Sequence, residues 1–405
     1  MKKKSVKQNN RKLILEYLRR SQIVSVSDIA NTVHISNPTV KKVLDHYADI
    51  GLVIPAGKGD STFDGGKRPE LYRINRDHAY VIALHVGPDF IYATVMNVMM
   101  EMVHTVYHKL GPVEADDAVR LLAEQVDDLL NLSWVKGKYL ANIVIALPGI
   151  VNNETGESIF SPHYPQWGTN YPFVEKFRKL VSVSVPVYID GVNRLQAFAE
   201  RVKGKAQGKK NFIIVDAMDE GVGAGLMVDG SMLHGFHNLS GEIGHMILDP
   251  LGPKCICGGR GCFEALVSVK NINRILRNGY SSHQNSAIYQ GKTPEDVTIT
   301  DLFKVAESKD PYAMEVLEEI ASYFALGINN VIMINDPELI VIQGIYIEAG
   351  QYFLDSLKKR VMHLAYPYLK RDLELVFTSF KEERGAVGAG SFGVYQYFEN
   401  SELYY

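Results

Sequence analysis

Residues 239–265 read LSGEIGHMILDPLGPKCICGGRGCFEA and hold every cysteine of the chain, Cys255, Cys257 and Cys262, within eight positions. With His245 they offer three thiolates and one imidazole. That set suits a closed tetrahedral zinc site, and with no coordination position left open a structural ion is expected rather than a Lewis acid. An odd, clustered set argues for metal over disulfides. Gly252, Gly258, Gly259 and Gly261 allow the backbone to wrap tightly round a small ion. The alternative is three unligated cysteines beside a core histidine.

Outward from this loop, short apolar runs alternate with helical patterns. VIALHVG, IYATVMNV and MEMVHTVYHKL (between 81 and 110) read as three strands, followed by a helix with Val119, Leu122, Val126 and Leu129 on one face. NIVIALPGIV (142–151) is a near-continuous apolar strand ending in Pro148-Gly149, and NFIIVDAM, GAGLMVDG and ELIVIQG form a second series. The alternation predicts an α/β protein with sheets covered on both faces and ligand loops at strand ends. Two series of one plan predict two lobes with a cleft between them. A helix over 311–331 carries Val316, Leu317, Ile320 and Phe324 as its stripe, as core or as a subunit interface.

The first fifth differs. Leu13, Ile14, Tyr17 and Leu18 are spaced for a helix over 11–19, and Ser27 is placed to cap a short second helix bearing Ile29, Ala30 and Val33. After a turn at His34-Ile35-Ser36, a third helix begins near Asn37-Pro38, buries Val40, Val43, Leu44 and Tyr47, and leaves Thr39, Lys41, Lys42 and His46 outside. Two short helices joined by a turn form a helix-turn-helix. Leu52-Val53-Ile54 and Leu71-Tyr72-Arg73-Ile74 then make a wing with Gly65-Gly66-Lys67-Arg68-Pro69 at its tip. Ser36, Asn37, Thr39, Lys41, Lys42 and His46 are the candidate base and phosphate contacts on double-stranded DNA, and Lys67 and Arg68 the wing contacts. Residues 1–76 hold 15 Lys+Arg against 7 Asp+Glu, whereas the whole chain is at −3, so the basic charge is confined to this segment. A basic head on an acidic body points to a nucleic-acid partner for the head alone, the alternative being a solvated arm without one.

At 405 residues two or three domains are expected, and 46% hydrophobic with 22% charged residues is ordinary for a globular protein. No apolar run approaches the roughly eighteen residues of a membrane span, and no apolar signal core follows the basic start, so a cytoplasmic protein without a membrane partner is expected.

The segments Glu242-Ile243-Gly244-His245 and Cys255-Ile256-Cys257-Gly258-Gly259-Arg260-Gly261-Cys262-Phe263-Glu264 resemble the signature of the ROK family (repressors, open reading frames and kinases). The resemblance spans nearly the whole chain, since family repressors carry an N-terminal winged helix with a wing like Gly66-Lys67-Arg68-Pro69. It implies a winged helix-turn-helix over 1–76 and a two-lobed actin-like, ribonuclease H-like sugar-kinase fold over 77–405 with a zinc loop at 245–262. It also implies a homodimer or dimer of dimers. Family sugar contacts would fall on Gly149, Asp190, Asn193, Glu242, His245 and Glu264, with zinc fixing the second ring nitrogen of His245. Ser161–Gly168 (SPHYPQWG) resembles the loop over the same pocket, where Trp167 either packs or stacks on sugar.

Family kinases need an aspartate as base, in an Asn-Asp-x-Asn segment, and glycine-rich loops for ATP phosphates. Aligning Asn193 and Ala199-Glu200 with that pattern places Asp190 at the asparagine and Gly191 at the base; a one-residue shift would bring Asp190 there instead. The first phosphate loop reads His85-Val86-Gly87-Pro88-Asp89, the second Glu220-Gly221-Val222-Gly223-Ala224-Gly225, where Glu220 would repel phosphate. The adenosine-side segment reads Ile342-Gln343-Gly344 where Ile-Gly-Gly is usual. The expectation is a non-enzymatic, DNA-binding regulator, by family habit a repressor, answering a sugar or sugar phosphate. The alternative is an ATP-dependent sugar kinase with an attached DNA-binding domain.

Overall fold

The computed structural model of the chain describes residues 6–60, 68–219, 221–364, 366 and 372–404. It separates into two compact units: Met1–Leu147 with Asn153–Ile189 and Ala389–Tyr405, and Pro148–Asn152 with Asp190–Gly388.

The first unit begins with α1 (Val6–Arg20), β1 (Val24–Ser25), α2 (Val26–Val33), α3 (Asn37–Asp49), β2 (Val53–Lys58) and β3 (Glu70–Ile74). β3 lies between β1 and β2, antiparallel to both, so three helices and a three-stranded sheet form a winged helix. The helix-turn-helix falls where the periodicity places it, and Val40, Val43, Leu44 and Tyr47 are all buried. Three local readings change. α1 starts earlier than residue 11 and buries Leu15 rather than Leu13, which is exposed. α2 is capped by Ser25, not Ser27: its hydroxyl accepts from the Asp28 amide while the Asp28 carboxylate accepts from the Ser25 amide. The reason is tertiary, because pairing of Val24 and Ser25 with Tyr72 and Leu71 fixes where extended chain stops. His46, read as exposed, is half-buried beside Tyr47.

The chain continues through β4 (Tyr80–Val86), β5 (Phe90–Asn97), β6 (Met102–Lys109), α4 (Ala115–Leu130), β7 (Leu140–Leu147), β8 (Ile150–Asn152), β9 (Glu157–Phe160), α5 (Phe173–Leu180) and β10 (Val187–Gly191). The sheet order is β10-β7-β4-β5-β6, with β4 parallel to β7 and antiparallel to β5. All seven residues of β4 are buried, as a strand covered on both faces requires.

The second unit holds α6 (Val192–Lys203), β11 (Phe212–Met218), β12 (Gly221–Val228), β13 (Ser231–Met232), α7 (Phe263–Val267), α8 (Val269–Gly279), α9 (Ile299–Glu307), α10 (Pro311–Asn335), β14 (Leu339–Gly344), α11 (Gly350–His363), β15 (Glu374–Phe377) and the start of α12 (Arg384–Glu399). Its sheet order, β13-β12-β11-β14-β15, repeats the first plan: a hairpin on one side of a parallel pair. α10 is, by length and composition, apolar enough to cross a membrane, contrary to the reading of the sequence. Its stripe of Val316, Leu317, Ile320 and Phe324 is instead buried in the core of this unit.

Candidate functional site

His245 ends a short 3-10 turn, Ile243–His245, held close against β12. A Cβ on Gly244 would stand 2.2 Å from the Val222 carbonyl, and one on Gly241 2.2 Å from that of Ala224, so only glycine permits this approach. On the other side α7 is anchored by Phe263, wholly buried and edge-on to Phe324. That anchor fixes Cys262, the residue before the helix, and Glu264 in its first turn.

The donor atoms of His245, Cys255, Cys257 and Cys262 lie within 4.8 Å of one another. Cys257 Sγ is 3.7 Å from Cys262 Sγ, and Cys255 Sγ is 3.7 Å from His245 Nδ1. A zinc ion with Zn–S bonds of about 2.3 Å has tetrahedral edges of about 3.8 Å, so the four groups are spaced to hold a metal ion. Burial pushes the Cys255 thiol up to about 12, while the Gly259 amide draws that of Cys257 down. Metal on Nδ1 would leave Nε2, which faces Glu242 Oε2 at 3.9 Å, as the free edge of the ring.

Glu242, His245, Glu264 and Arg194 form one electrostatic group. Burial raises the Glu242 carboxyl and nearby Glu264 adds to this, against the pull of His245 and Arg194. Glu264 Oε2 accepts from the Val222 amide at 3.1 Å. Gly149 holds φ 88°, a conformation that lets the chain turn between β7 and β8.

Asp190 is almost wholly buried with both oxygens engaged. Oδ1 accepts from Arg194 Nε at 2.6 Å and the Gly191 amide at 2.7 Å; Oδ2 lies 2.8 Å from His234 Nε2. Burial alone would raise this carboxyl, but the His234 hydrogen bond and the Arg194 charge outweigh it and hold it below the ordinary carboxylate range. Asp190 therefore serves Arg194 and His234 rather than presenting an open edge. Arg194 and His234 were not picked out from sequence. Arg194 sits four residues after Asp190, a spacing that could have flagged the pair; His234, 44 residues away, carries no such signal.

The remaining kinase positions are filled rather than vacant. A Cβ on Gly191 would meet Arg194 Nη2 at 3.1 Å. At the first phosphate loop, the Phe90 ring would stand 2.3 Å from a Cβ on Gly87, and Tyr164 Oη donates to the Gly87 carbonyl at 2.7 Å. His85 is buried, edge-on to Phe90. Trp167 packs: it is buried, stacked 4.5 Å from Tyr164, and its indole donates to the Val113 carbonyl. Gly223 and Gly225 lie in β12 because α6 crosses it, with Asn193 Nδ2 and Asn193 O at 1.9 and 2.2 Å from the Cβ positions. Their spacing answers helix packing. Gln343 is wholly buried and donates to Glu200 at 3.1 Å. Glu220 lies outside the described residues.

In the head, Ser36, Asn37 and Lys42 are exposed and Thr39 half-buried, with Ser36 Oγ 2.9 Å from Thr39 Oγ1. Lys41 pairs with Asp45 and lies 5.8 Å from the Tyr72 ring. Arg68 is exposed at the base of the wing, and Gly65, Gly66 and Lys67 fall outside the described residues.

Fold and site together define a protein of the sugar-kinase type that carries a DNA-binding head. The sequence pattern of the ROK family matches residues 81–393, and the chain belongs to that family. It is 26% identical to the xylose repressor of Bacillus spizizenii over 389 residues, 95% of each chain. It is 30% identical to the glucokinase of Halalkalibacterium halodurans over 272 residues, 66% of this chain and 81% of that one. Among solved structures, a ROK family transcriptional regulator homologous to the Escherichia coli MLC protein shares the fold, with a TM-score of 0.82 at 23% identity and 98% coverage of both chains. The match at full length is with the repressors; the kinase match omits about a third of this chain.

Proposed function

We propose that this chain is a sugar-responsive, DNA-binding transcriptional repressor of carbohydrate-utilisation genes, acting in the cytoplasm as a homodimer or dimer of dimers and without kinase activity. The observation that carries it is a winged helix joined to a sugar-kinase fold in which Arg194 fills the space beside Gly191 where a base would stand. Residues 1–76 bind the operator, with Ser36, Asn37, Thr39, Lys41, Lys42 and His46 on the recognition helix and Lys67 and Arg68 on the wing. Residues 77–405 hold the effector. Gly149, Asn193, Glu242, His245 and Glu264 line the sugar, and Asp190 acts through Arg194 and His234. One structural zinc on His245, Cys255, Cys257 and Cys262 orients His245 and Glu264 toward it. The family relatives of the same length, named as repressors, support this reading.

The test pairs mobility shifts on the promoter of the neighbouring genes with a thermal-shift screen against sugars. A ligand that binds only the folded state raises the melting temperature. A salt-sensitive, sequence-preferring complex released by one of those sugars is expected. Failure to prefer any DNA sequence, or hexose-dependent ADP release from ATP, would contradict it.

A further inference from the structure

Arg194 makes contacts that a merely space-filling residue would not need. Nε donates to Asp190, Nη2 donates to the Val151 carbonyl at 3.1 Å, and Nη1 faces the Asn238 and Ser240 carbonyls at 3.4 and 3.5 Å. One guanidinium thus ties the turn that carries Gly149 to the loop that carries His234, with Asp190 as counter-ion. Its side chain is only 6% exposed. Four of its five N–H groups are spent on protein acceptors, and its charge is matched by a carboxylate with which it makes a direct ion pair. What faces the candidate sugar contacts beyond it is acidic: Glu242 and Glu264 are close enough that each carboxylate bears on the other.

We propose that the effector is an uncharged, unphosphorylated sugar, and that Arg194 is the positioning residue that sets this preference. Standing where a kinase base would receive the proton of the reacting hydroxyl, Arg194 supports the Pro148–Asn152 turn instead of binding an anion. A phosphate ester on that hydroxyl would have to displace the Val151 or Asp190 contact and meet Glu242 and Glu264 without a spare cation from Arg194. A neutral sugar needs only the acceptors and donors of Glu242, Glu264 and His245. The proposal rests on the sugar-sensor reading above and narrows it.

The experiment is calorimetric titration of the full-length, zinc-loaded protein with xylose, glucose and N-acetylglucosamine, and with the phosphate esters of each. At least one free sugar should bind, and its ester more weakly by about tenfold or more, the scale of an uncompensated like-charge contact. Glu242→Gln should narrow that ratio. In the double variant Asp190→Asn/Arg194→Met, which removes the ion pair without leaving a lone charge, free-sugar affinity should fall while the ester stays weak; Arg194→Lys, keeping charge but not the fork, should not rescue it. An ester that binds as tightly as its free sugar overturns the proposal, the more so if the double variant abolishes that binding, since Arg194 would then be a phosphate ligand. Should the double variant not fold, the wild-type ratio and Glu242→Gln still decide. If neither sugars nor esters bind, the sensor reading itself fails and this proposal falls with it.

Discussion

A glycine at the base position invites the idea that one substitution would restore a kinase. The surroundings of Gly191 argue otherwise. An aspartate there would begin 3.1 Å from Arg194 Nη2 and 3.5 Å from the Gly149 carbonyl, so its carboxylate would pair with the guanidinium instead of accepting a proton from a sugar. Gly191→Asp is therefore expected to show no hexose-dependent ADP release above the unmodified protein in a coupled assay. The metal donors make a second residue-scale case. Cys257→Ser removes one of three thiolates from a set spaced for a tetrahedral ion, and elemental analysis should fall from about one zinc per chain toward none. Because Cys262 and Glu264 flank the same buried Phe263, loss of metal should also weaken any sugar-induced thermal shift.

At the scale of elements, the start of α2 discriminates between sequence periodicity and tertiary pairing. Ser25 closes a reciprocal cap with Asp28, so Ser25→Ala should cost about 1 kcal/mol, seen as earlier urea unfolding of the winged helix, whereas Ser27→Ala should cost little. Periodicity could not choose between the two serines, since pairing with Tyr72, 48 positions along the chain, decides which is extended. The same contrast explains the rest. The helix-turn-helix and α10 were legible because their apolar stripes are local; the metal donors were legible because they sit within one loop. The Asp190–Arg194–His234 cluster and the filling of the Gly87 turn by Phe90 and Tyr164 were not, because they join segments far apart in sequence. The glycines of β12 were misleading for the opposite reason: a local pattern that suits phosphate also suits a helix crossing a strand. For the head, Lys42→Ala should alter which sequences are preferred, while Arg68→Ala should weaken binding on all of them and lower the salt slope by about one. Equal loss on every sequence for both variants would contradict that division.

For the whole molecule, a sugar that releases DNA must bind the DNA-free form more tightly, and linkage makes this coupling reciprocal. If a sugar weakens operator affinity by some factor, saturating operator must weaken sugar affinity by the same factor, in the range of about 5 to 150 for typical coupling free energies. Both arms are measurable on one preparation: fluorescence anisotropy of labelled operator with and without sugar, and sugar titration with and without operator, at one salt concentration because phosphate contacts are salt-dependent. Equal factors are expected in the unmodified chain. In Asp190→Asn/Arg194→Met, the turn bearing Gly149 loses its tie to the loop bearing His234, so sugar should bind less well while operator affinity without sugar is unchanged. A sugar that binds equally well with and without operator would mean that the two activities share a chain but not an equilibrium.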